Sequence, residues 1–146
     1  QDAAAVFDGL ERLRLRRAAG EAATEDQAVV TLAQVQQRMP PRTALLSFLA
    51  TEDALRVLVV ASGHPPRLLR LALPRARLAA EVQALRERVL ARADADDERL
   101  RASALRLHHA LLEPVADELR GQRQLLLAPD GPLHELPWAA LHDGRR

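Results

Sequence analysis

No cysteine occurs in the chain. That excludes disulfides, cysteine-ligated metal centres and any thiol nucleophile supplied by these residues. Lysine is absent too, so all 21 basic residues are arginine. Arginine stays charged to high pH, which reconciles a formal net charge of only +1 with a sequence pI of about 9.1. The pI is therefore weak support for a nucleic-acid partner. Tyrosine is missing, and Phe and Trp together make up 2% of the chain. Few bases could stack on such a surface, and the core must be built from Leu, Val and Ala. No apolar run approaches 18 residues, so no transmembrane helix is expected. No signal peptide is visible, and a cytoplasmic location fits.

The 146 residues, 48% of them hydrophobic, suit one globular domain. A chain of this length can bury ~70% of its unfolded surface. It starts with Gln1 rather than Met, which fits a piece of something longer. Ala3 to Ala19 is expected to be a helix, with Val6, Leu10, Leu13 and Arg17 on one face and Gly20 as its cap. Asp8 and Glu11 dilute its basic charge, so it fits the last helix of an upstream helical array better than a nucleic-acid contact. A second helix is expected from about Gln27 to Met39, with Ala28, Leu32, Val35 and Met39 inward and Pro40-Pro41 as its stop.

From Thr43 the pattern changes. Ala44–Ala50 and Leu55–Val60 are two apolar runs around the polar Thr51-Glu52-Asp53, which predicts a β-hairpin. Gly63-His64-Pro65-Pro66 breaks it, and Leu68–Leu73 is a third strand candidate. Pro74 opens a long amphipathic helix with Leu78, Val82, Leu85 and Val89 inward. The acidic link Asp94, Asp96, Asp97 and Glu98 suits the start of the next helix. That helix carries Leu100, Ala104, Leu107, Leu111 and Val115, widened by Leu105 and Leu112. Pro114 should kink it or begin a new turn, and Gly121 should end it. Helices alternating with strands predict an α/β sheet. No internal repeat or low-complexity tract is present.

The stretch that organises the chain is Arg123–Gly144. Leu125, Leu126 and Leu127 lack polar alternation, the pattern of a strand buried on both faces. Pro129 ends it, and Asp130-Gly131 is read as a tight turn. Pro132–Leu136 is expected to be irregular or extended. Pro137 fits the first position of a short helix through Trp138, Ala139, Ala140 and Leu141, ended by Asp143-Gly144.

The block LLLAPDGPLHELPWAALHDG resembles the first conserved block of the CHAT domain, a caspase-like module often found behind TPR repeats in bacterial proteins. The shared pattern is the hydrophobic strand Leu125–Leu127, Pro129-Asp130-Gly131, Leu133-His134, Leu136-Pro137, Trp138 and Ala140-Leu141. The hairpin region before it also resembles the family, though more weakly, since Phe48 is the only aromatic of its first strand. The resemblance implies an α/β, caspase-like sheet flanked by helices, preceded by short helices and a β-hairpin, and an incomplete domain. It divides the chain into a helical lead-in, residues 1–42, and the amino-terminal part of the domain, residues 43–146. It implies a cysteine peptidase whose catalytic histidine and cysteine lie downstream of Arg146. The expected partners are that downstream half, TPR-like repeats upstream and a peptide substrate, with self-association as a further possibility. A catalytically inactive scaffold of the same family is the alternative.

Chemistry within the chain is sparse. Ser47, Ser62 and Ser103 stand in no Gly-x-Ser-x-Gly elbow. His108 and His109 are adjacent and point to different sides of their helix. His109 and Glu113 share a face, but a second histidine at metal-ligand spacing is missing, so a surface pair is expected. His134 is read as structural, hydrogen-bonding near the turn. No Gly-rich phosphate loop is present. No catalytic, cofactor-binding or metal-ligating residue is assigned within these residues, and no cofactor, nucleic acid or membrane is expected.

Overall fold

A computed structural model of the chain describes residues 2–9, 11, 31–91 and 97–144. Residues 3–9 are helical (α1). The rest of the expected first helix, with Leu10, Leu13, Arg17 and the Gly20 cap, falls outside the described residues. Helix α2 spans Leu32–Arg38, and the start expected near Gln27, with Ala28, lies outside the described residues. Thr31 is extended and caps it: its hydroxyl accepts the Gln34 amide while the Gln34 side chain accepts the Thr31 amide. Met39, which precedes Pro40, is extended as that position requires.

Four strands form one mixed sheet among the described residues. They are β1 (Thr43–Ala50), β2 (Leu55–Ala61), β3 (Arg67–Leu71) and β4 (Gln124–Ala128), in the order β3-β2-β1-β4. The expected hairpin is β1 and β2, antiparallel, with Leu46 opposite Val59 and Phe48 opposite Val57. The Thr51 hydroxyl lies 2.8 Å from both the Asp53 carboxylate and the Ala54 carbonyl, which fixes the connecting loop. The third strand ends at Leu71 rather than Leu73, and it carries Arg67 and Arg70 along an outer edge. Charges of that kind discourage edge-to-edge pairing.

Helices cover both faces of the sheet. On one side Leu46, Phe48, Leu55, Val57 and Val59 pack with Leu78, Val82 and Leu85 of α3 (Arg75–Leu90) and with Ala104, Leu107 and Leu111 of α4 (Glu98–Leu111). Each fully buried leucine of this cluster contributes about 1.5–3 kcal/mol relative to exposure. On the other side Leu58 and Val60 pack with Phe7 and Leu32. The stripe on α3 stops one turn sooner than expected: Val89 is 38% exposed, because the buried cluster against this helix ends at Leu85. Asp97 caps α4 through its carboxylate, which accepts the Arg99 amide at 2.9 Å. Pro114 begins a new 3₁₀ turn, Glu113–Val115, followed by the short helix α5, Ala116–Leu119. Gly121 then takes φ +80°, a conformation that suits glycine, as the chain turns into β4.

The apolar run in β4 predicts burial on both faces with a neighbour on each side, one of them from the Thr43–Leu73 strands; among the described residues that one neighbour is present and β4 lies at the sheet edge. It pairs in parallel with β1, with Leu126 beside Leu45 and Leu127 beside Leu46. With a neighbour on one side only, Leu125 stays 39% and Leu126 41% exposed, while Leu127 packs against the core. No helix among the described residues is long and apolar enough to cross a membrane.

Candidate functional site

The parallel pair β1 and β4 brings the carboxyl ends of two strands together, the end at which open α/β sheets form their crevices. Pro129 stops β4 there, and the next carboxylate turns back onto β1. Asp130 is buried and accepts the backbone amide of Ala50 at 3.0 Å. Its role is thus wider than the tight turn expected of Asp130-Gly131.

Arg75, the first residue of α3, reaches the same place. Its backbone amide donates to the Thr51 carbonyl at 3.1 Å, and a guanidinium nitrogen lies 3.5 Å from the Ala50 carbonyl. The guanidinium also lies over Gly131, where an added Cβ would stand 3.1 Å from Arg75 Nη2. Gly131 has φ +53°. Two constraints, backbone and space, therefore ask for glycine. Sequence periodicity put Arg75 on the outer face of its helix, and nothing local signals its approach to a loop 56 positions later in the chain.

Residues expected to be irregular or extended form a 3₁₀ turn, Gly131–Glu135, because Pro132 presets its φ near the helical value. Leu133 and Leu136 anchor it in the core. Glu135 pairs with Arg86 of α3 at 2.7 Å. The expected helix after Pro137 is a single 3₁₀ turn, Trp138–Ala140, and Pro137 precedes it as the cap rather than occupying its first position. The Trp138 ring lies 5.6 Å from that of Phe48, tilted by 37°. Proline, buried leucines and the ring contact thus hold a segment with little regular structure of its own.

The histidines do not gather here. His134 is exposed and makes no side-chain hydrogen bond among the described residues, so the structural bond expected of it is not formed. A short, rigid turn that buries Leu133 and Leu136 leaves His134 between them facing solvent. His109 and Glu113 form a hydrogen-bonded surface pair at the exposed end of α4, as their spacing predicts. His142 Nδ1 accepts the Gly144 amide at 3.1 Å. Among the described residues no three or more His, Asp or Glu side chains are placed to hold a metal. Ser47 is buried within β1, Ser62 bonds backbone carbonyls of Pro40 and Thr43, and Ser103 accepts from Arg106. None of these hydroxyls has a histidine base beside it among the hydrogen bonds described. Asp53, in the β1–β2 loop, is held at a pKa of about 2, chiefly by its hydrogen bond with Arg70 and then by that with Thr51. At this end of the sheet the described residues build a packed loop platform, held by the Asp130, Arg75 and Trp138 contacts.

A sequence model of the CHAT domain matches residues 101–146. The matched span holds most of α4, then α5, β4, the Pro129-Asp130-Gly131 loop and both 3₁₀ turns that follow it. The β1–β2 hairpin and β3 lie outside it. No curated protein matches the chain.

Proposed function

We propose that this chain is the amino-terminal part of a CHAT-type, caspase-like cysteine peptidase domain. The observation that carries the reading is the agreement of the Leu125–Leu141 block with the family pattern, supported by the CHAT match over residues 101–146. The role of residues 43–146 is to form one side of the domain, with residues 1–42 as a helical lead-in from TPR-like repeats. The histidine and cysteine dyad is supplied by residues that follow Arg146, and the substrate is a peptide. These residues contain no thiol, so a thioester intermediate cannot form on them alone.

The test is to read the gene past the codon for Arg146 and to assay the continuous protein. A histidine motif and a cysteine motif soon after the block, with peptide cleavage that is abolished when the cysteine is replaced by alanine, support the proposal. Absence of both motifs overturns the peptidase reading and leaves a CHAT-like scaffold. Without the continuation, the isolated 146-residue chain is expected to self-associate through β4. A stable monomer by light scattering at high concentration would count against that placement of the missing half.

A further inference from the structure

We draw no further inference here: the strongest candidate, the open outer edge of β4 with Leu125 and Leu126 partly exposed, belongs to the reading already proposed, and nothing in the structure shows what else covers it.

Discussion

The Asp130 carboxylate accepts the Ala50 amide at 3.0 Å across 80 residues of sequence, and it does so out of water. This one bond joins the last residue of β1 to the loop that leaves β4. It fixes where the segment that follows begins, beside the end of β1.

Removing that acceptor strands a buried N–H. Asp130→Ala is expected to cost about 1–3 kcal/mol. Asp130→Asn keeps an oxygen in place and should cost less, the loss being that of a charge-assisted bond. Urea unfolding of the two variants provides the comparison. Equal losses would show that the carboxylate acts through something other than the Ala50 amide.

Gly131 is constrained by backbone and by neighbour. Gly131→Ala should destabilise by about 1–2 kcal/mol from the left-handed conformation alone, with a further loss from crowding against Arg75. Adding Arg75→Ala should restore the steric part and leave the backbone part. A double-mutant cycle separates them; strict additivity would mean that the Arg75 side chain yields freely.

Phe48 is fully buried, and Trp138, the only tryptophan, leans on it. Phe48→Ala is expected to cost about 3–5 kcal/mol. The same change should shift Trp138 emission to the red in the folded state. Emission unchanged in a folded variant would place the indole elsewhere.

Asp53 tests an electrostatic effect in the β1–β2 loop. Its folded pKa, about 2, lies below the ordinary 3.8 because Arg70 and Thr51 hydrogen-bond the ionised form. A depressed carboxylate pKa contributes stability that is fully present above about pH 4 and is lost as pH falls through about 2. The pair is solvent-exposed, so the contribution is small and weakens with salt. Carboxyl titration followed by NMR should give a midpoint near 2, and Arg70→Ala should return it towards 3.8. A midpoint that ignores Arg70 would remove the pair as the cause.

The sequence by itself determined the local elements. Two apolar runs around Thr51-Glu52-Asp53 made the hairpin, the spacing of Leu78, Val82 and Leu85 made a buried helical stripe, and Pro114 and Gly121 placed their breaks. Each rests on neighbours within a few positions, where periodicity and backbone restriction act directly. The CHAT resemblance was legible for the same reason, since its block is contiguous. Only the tertiary structure decided that β4 pairs in parallel with β1, that Asp130 caps β1, and that Arg75 covers Gly131. An apolar run records what a strand can bury but not which strand stands beside it. A carboxylate or guanidinium can reach any acceptor or loop that the fold brings within a few ångströms, and that is set by packing between residues far apart in the chain.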